Sequence, residues 1–320
     1  MQDNYTTYFK LSQEQYTDIG ENAPLKTLRK VSILKGYNVP IIKTLLQLGE
    51  NRKATAIEQC GTFLEIWHDN AGVEHVKNSN FCRERLCSVC AWRRQARFLA
   101  TTEPALQKID IEHGNKAQYV FITLTVKNCA AGALSGEITR ILKAWDRLYK
   151  RKPFSAFALG GVRSVEVTYN SDTNTFHPHL HALLLMKNDY FKRGNIISQQ
   201  KLRILWQHAL QYDYEPFTYI QSIKAQAGKE ERISATLETI KYSLKTKDFA
   251  ISADVTHTLM TALKGRRLIS FFGVVAAARR EMNMPDIFSD NLNDDVDINA
   301  AKARSVLYCF SASGWQIVNN

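Results

Sequence analysis

His177, His179 and His181 recur at every second position in the run His177-Pro178-His179-Leu180-His181. In an extended strand this spacing turns all three imidazoles to one face, because successive side chains point to opposite sides. Leu180, Ala182, Leu184 and Met186 then form the apolar face. The segment GVRSVEVTYN just before it has the same period, with Val165 and Val167 on one side and Ser164, Glu166 and Thr168 on the other. Ser171, Asp172, Thr173 and Asn174 lie between the two segments and are turn-forming residue types. A hairpin folded about the centre of that turn sets Glu166 opposite His179, and cross-strand partners share a face. His179, His181 and Glu166 are therefore the predicted ligands of a divalent cation, Mg²⁺ or Mn²⁺, although imidazole also suits zinc. Such an ion polarises and orients a phosphoryl group. Whether His177 joins the site is left open, and a two-His-one-carboxylate iron oxygenase would use the same ligand types.

A second candidate lies in ISATLETIKYSLK, where Ile233, Leu237, Ile240 and Leu244 stack along one stripe of a predicted helix. Tyr242 points almost directly away from that stripe, so its ring has no packing motive on this element. A phenol beside a metal-bound phosphate is a nucleophile, and a nearby lysine, here Lys245, favours its phenolate. Glu238 sits one turn before Tyr242, where a carboxylate can serve as general base in a second displacement. Taken alone, the segment reads first as an ordinary amphipathic helix with a Glu–Lys pair on its surface; its pairing with the hairpin reverses that order.

Cys82, Cys87 and Cys90 form C-x4-C-x2-C, a spacing suited to tetrahedral zinc. Cys60 is the best fourth ligand, with His68 and His75 as substitutes, while Cys129 and Cys309 are expected to be buried thiols. Four protein ligands leave no open position, so this zinc would be structural. Arg83, Arg85, Arg93, Arg94 and Arg97 surround the cluster; they suit DNA phosphates, or simply a solvated helix face.

The elements that must position these groups follow from periodicity. Val120, Ile122, Leu124 and Val126 alternate with Phe121, Thr123 and Thr125 in a predicted strand over Tyr119–Asn128. Helices are expected from about Trp92 toward Ile109, over Ser135–Tyr149, Ser198–Leu210 and Ile233–Lys245, and after Phe272, with a short strand at Phe217–Ile223. The first fifty or so residues read as a loose or helical lead-in, and VLYCFSASGWQIV near the end is strand-like after an acidic stretch. These patterns divide the 320 residues into a lead-in (1–53), a cysteine-rich zinc unit with its helix (54–115), a catalytic domain (116–285), and an acidic linker with a strand-like tail (286–320). Lysine and arginine outnumber aspartate and glutamate by 42 to 31, a net charge of +11 that favours a polyanionic partner. The sequence has neither a secretory start nor a run of about 18 apolar residues, so a cytoplasmic location without a membrane partner is expected. In that reducing setting cysteines are metal ligands or free thiols.

Taken together, FITLTVKN, the HPHLH strand preceded by RSVEVTYN, and ETIKYSLK resemble the three ordered motifs of HUH endonucleases, named for His-hydrophobic-His. The match is closest to replication initiators (Rep) of small rolling-circle plasmids from Gram-positive bacteria, and it extends from about Cys60 to Val275. The resemblance implies an α+β fold, with a central antiparallel sheet carrying the His strand, helices flanking it, and a small zinc-stapled N-terminal unit. It implies that His179 and His181 bind the catalytic cation, with Glu166 as third ligand. Tyr242 would attack origin DNA, single-stranded or supercoiled, to leave a 5′-phosphotyrosine and a free 3′-hydroxyl. Glu238 stands where some initiators carry a second tyrosine, so termination by water is expected. Host helicase and DNA polymerase are the implied partners. A single-tyrosine transposase or relaxase would share these motifs, and a non-catalytic zinc-dependent DNA-binding regulator would share the cysteines and the charge. Ser88 departs from the proline common between the last two cysteines of the family.

Overall fold

The structure is a computed structural model, and it describes residues 11–113, 118–223, 252–284, 305–311 and 313–318. The chain forms two compact units. The first comprises Met1–Arg94, Phe249–His257 and Pro285–Asn320; the second comprises Gln95–Asp248 and Thr258–Met284.

In the first unit the lead-in is helical: α1 (Gln13–Glu21), α2 (Lys26–Gln47) and α3 (Asn51–Gln59). Ser12 starts α1 with a capping box, its hydroxyl accepting from the Gln15 amide while the Gln15 side chain accepts from the Ser12 amide. Leu28, Val31, Ile41 and Leu45 give α2 a fully buried stripe. Strands β1 (Phe63–His68) and β2 (Glu74–Ser79) pair antiparallel, and the strand-like tail supplies β8 (Ser305–Ser311) and β9 (Gly314–Val318). The sheet order is β2-β1-β8-β9, so the last strands of the chain lie against one of its first. Cys309 on β8 is only partly buried, as is Cys129 in the second unit, against the expectation of buried thiols. On β8 alternate residues face out, and Cys309 falls between the buried Tyr308 and Phe310.

The helix expected after the cysteines is α4 (Ser88–Glu112). The second unit then builds a wholly antiparallel five-stranded sheet, ordered β6-β3-β5-β4-β7. Its strands are β3 (Gln118–Thr125), β4 (Ala158–Asn170), β5 (Thr175–Met186), β6 (Thr218–Ile223) and β7 (Ile269–Phe272). The His strand, β5, is central. Helices α5 (Leu134–Tyr149), α6 (Lys152–Ser155), α7 (Gln199–Leu210), α8 (Ala253–Leu263) and α9 (Gly273–Glu281) complete the described α-helices. Of these, α5 packs on α7 and β5, α7 on β6, and α9 on β4 and β7.

Alternation decides what each face of this sheet holds. Ile122, Leu124, Val165, Leu180, Ala182 and Leu184 are completely buried. Along α5, Leu134, Ile138, Ile141 and Leu148 are buried just as fully, as a helix packed along one face requires. Trp206 of α7, also without exposure, donates its indole N–H to the Thr125 carbonyl at 2.8 Å, so its one polar atom is satisfied inside the core. The opposite face carries Thr123, Thr125, Glu166, His179 and His181 in directly paired positions. Neither β7 nor α8 was legible as an element in the sequence. The helix predicted over Ile233–Lys245, with Tyr242, Glu238 and Lys245, lies outside the described residues, as does the acidic stretch.

Candidate metal centres

The β4–β5 hairpin turns through Ser171–Asn174 in the predicted register: Asn170 pairs with Thr175 and Glu166 with His179. Asn170 fixes the turn by accepting the amides of Asp172 and Thr173 on its side-chain oxygen, and Asn174 adopts a left-handed φ of 50° that asparagine tolerates. The result brings Glu166 Oε2 to 3.2 Å from both His179 Nε2 and His181 Nε2. Two ligand atoms each about 2.1 Å from one ion lie about 3.0 Å apart at a right angle and about 3.4 Å apart at a tetrahedral angle. The observed spacing falls between these values.

The outer nitrogens of both rings are engaged elsewhere. His179 Nδ1 lies 3.1 Å from the His177 carbonyl, which can only accept, so Nδ1 carries the proton. Its Nε2 faces a carboxylate oxygen at 3.2 Å, placed either to donate to it or to share a cation with it. His181 Nδ1 lies 3.0 Å from Thr123 Oγ1, whose hydroxyl can orient that ring in the same sense. Glu166 is 5% and His181 8% exposed. Burial pushes the Glu166 carboxyl up, but the hydrogen bonds to His179 and His181 outweigh it and hold the group below the usual carboxylate range. His177 belongs to the same run but not to this trio; its ring stacks on His179 at 5.2 Å.

The second cluster is Cys60, Cys82, Cys87 and Cys90, all in the first unit, with their sulfurs within 4.8 Å of one another. Sulfurs on one zinc, each about 2.3 Å from it, stand about 3.8 Å apart. Cys90 Sγ lies 3.5 Å from Cys60 Sγ and 3.6 Å from Cys82 Sγ. Backbone amides of Cys82 and Arg83 point at Cys60 Sγ and Cys90 Sγ, at 3.4 and 3.2 Å. Arg83 has a left-handed φ of 63°, the tight turn that brings its amide there.

Sulfurs so close cannot all ionise without a cation. Contact with Cys60, then with Cys87 and Cys90, drives the Cys82 thiol far above its usual range. Burial pushes the Cys87 thiol up, but hydrogen bonds from the other three overcome it and hold Cys87 well below. Neither histidine offered as a substitute joins the cluster. His75 contacts Asp69 at 3.0 Å and stacks on Trp67, and His68 is exposed at the end of β1.

Sequence reasoning missed two groups from α2. Buried Asn38 donates to Cys87 Sγ at 3.5 Å and accepts the Ser88 amide at 2.8 Å. Buried Lys35 donates to the carbonyls of Glu58 and Cys60, at 2.7 and 3.0 Å. A polar residue on the buried stripe of α2 was the available signal for both.

Comparison with known proteins gives the family. A family model described as Replication protein matches residues 73–316. A Protein rep of Lactiplantibacillus plantarum is 31% identical over 290 residues, covering 87% of this chain and 89% of that protein. The chain belongs to the replication-protein family. It is also 31% identical to a Protein rep of Lentilactobacillus hilgardii over 256 residues (77% of this chain, 80% of that one). A Protein rep of Streptococcus pneumoniae is 31% identical over 247 residues (75% and 76%). The resemblance to rolling-circle Rep initiators of Gram-positive bacteria is thus shown at the level of the family. No solved structure matches the chain. No described helix is long and apolar enough to cross a membrane.

Proposed function

We propose that this Rep-family chain nicks and rejoins one strand of plasmid origin DNA by transesterification, so beginning and ending rolling-circle replication. The observation that carries the reading is the convergence of Glu166 Oε2 on the Nε2 atoms of His179 and His181, at 3.2 Å each. In this reading these three side chains hold a divalent cation, Mg²⁺ or Mn²⁺. When bound, that ion supplies Lewis-acid polarisation of a phosphoryl oxygen. The carboxylate suits a hard cation, and the outer-nitrogen bonds of both rings orient the donors inward.

Tyr242, outside the described residues, is assigned the nucleophile from its motif. Its phenolic oxygen bonds to phosphorus as the phosphorus–O3′ bond breaks; the phenol gives up its proton and the departing 3′ oxygen gains one. Lys245 favours the phenolate, and Glu238 takes a proton from the water that later releases the 5′-phosphotyrosine. The strand's bond energy is kept in the phosphotyrosine, so the step reverses as joining. Cys60, Cys82, Cys87 and Cys90 are assigned a structural zinc, and host helicase and polymerase the extension of the free 3′ end. The reading places the protein in the cytoplasm.

The test incubates the full chain with Mn²⁺ and single-stranded origin DNA and looks for a covalent protein–DNA adduct. Wild type should form it, whereas Tyr242→Phe and His179→Ala should not. An undiminished adduct in Tyr242→Phe would overturn the assignment. Glu238→Ala should nick but release poorly.

A further inference from the structure

The face of the second sheet that holds Glu166, His179 and His181 continues past them to the edge strand β6. Directly paired residues share a face. The register Tyr219–Thr123–His181–Ser164 therefore sets Tyr219 in the row of His181. Phe217 continues the ladder just outside β6, its carbonyl accepting from the Thr125 amide at 3.2 Å and the Thr125 hydroxyl at 2.9 Å. That puts it in the row of His179 and Glu166. Thr218, between the two rings, turns to the core and is completely buried.

Phe217 is 61% and Tyr219 40% exposed. A lone exposed ring needs no explanation, but these are neighbours on one face, two strand spacings or about 10 Å from the histidines. On the other flank the same face is filled: Phe98 stacks on Phe271 at 5.3 Å and the Arg279 guanidinium lies over Phe271 at 4.1 Å. The β6 flank also carries a fixed cation. Exposed Lys127 donates its backbone N–H to the Tyr214 hydroxyl at 3.0 Å, and its ammonium sits 4.2 Å from that ring. Tyr214 in turn stacks on Tyr212, which Arg140 covers at 4.8 Å.

We infer that Phe217 and Tyr219 form a stacking platform for unpaired bases of a DNA strand, with Lys127 at its phosphates, leading that strand to the Glu166–His179–His181 trio. The inference rests on the reading of the trio as the place where a strand is cut. Exposed π-faces beside a cation suit single strands, whose bases are free to stack, whereas a duplex hides its base faces. A protein partner would seek a wider apolar patch, but the neighbouring exposed positions of β6 are Gln221 and Ser222.

The experiment measures binding without added divalent metal, so it does not depend on cleavage. A short mixed-sequence single strand carrying one 2-aminopurine is titrated with the full chain, following anisotropy and base fluorescence. Phe217→Ala and Tyr219→Ala should each weaken binding about tenfold and restore 2-aminopurine fluorescence. Tyr219→Phe, which keeps the ring, should bind like wild type, and Lys127→Gln should lower the salt slope by about one. Unchanged affinity and unchanged quenching in Phe217→Ala/Tyr219→Ala, with unchanged melting temperature, would overturn the platform. Weakened binding by a protein that forms no adduct with Mn²⁺ would keep the platform and remove the cutting site instead.

Discussion

Glu166 is the residue whose chemistry is least negotiable. Its carboxylate meets two imidazole nitrogens at once, and both rings are turned toward it by bonds at their far side. Replacing a group that orients a ligand weakens metal binding about 10–100-fold, so Thr123→Val should cost Mn²⁺ affinity about tenfold by calorimetry while leaving the fold intact. Glu166→Ala removes a ligand itself and should cost more; equal affinity in either variant would count against the trio as a metal site. Glu58 makes a different prediction. Burial, partly offset by Lys35, pushes its carboxyl up to about 7, and its Oε1 has no hydrogen-bond partner among the described residues. A carboxyl raised on folding stabilises fully below its unfolded value and loses that contribution as pH rises through the folded one. Glu58→Gln should therefore melt higher than wild type near pH 8 and like it near pH 5; a pH-independent difference would show that ionisation is not the cause. Glu166 and both histidines could be read from spacing because a period of two fixes their faces. Thr123 was visible only as a polar residue on a strand, since its partner lies on an element whose pairing no local pattern encodes.

At the scale of elements, the hairpin was legible and its neighbours were not. The β4–β5 register follows from one turn and two alternating runs, so the sequence alone sets Glu166 opposite His179. The placement of β6 beside β3, β7 beside β4 and β8 beside β1 depends on long-range pairing, for which residues such as Ile269–Phe272 carry too short a pattern. Glycine marks where that pairing is tight. A Cβ at Gly161 would overlap the Leu183 carbonyl of β5, and one at Gly160 would come within 2.6 Å of the Phe272 carbonyl. Overpacking of this kind costs about 1–3 kcal/mol, so Gly161→Ala should lower stability by that amount in denaturant titration. The shift of β4 against β5 should also weaken Mn²⁺ binding, although Gly161 touches no ligand. Wild-type stability would mean the strands yield more freely than their spacing implies.

For the whole molecule, the cysteine cluster makes a prediction separate from the trio. The cluster joins α2, through Asn38, to the start of α4, so if a zinc sits there its loss should loosen the first unit rather than the trio. Cys90→Ala should lose bound zinc in native mass spectrometry and melt lower, while Mn²⁺ binding at the trio persists; a zinc-free wild type would end the structural-zinc assignment.

The first unit is also discontinuous. Ser305 on β8 pairs with Trp67, and Lys77 bonds to Ser305 across 228 positions of sequence. While the ribosome is still making the chain, β1 has an open edge with unpaired amides and carbonyls, the kind of surface that recruits a strand from another molecule. Until the last two strands emerge, a neighbouring nascent chain can occupy that edge. A premature stop before Ser305 would leave it open permanently, so the harm from such a lesion would be clumping of the product as much as loss of its activity.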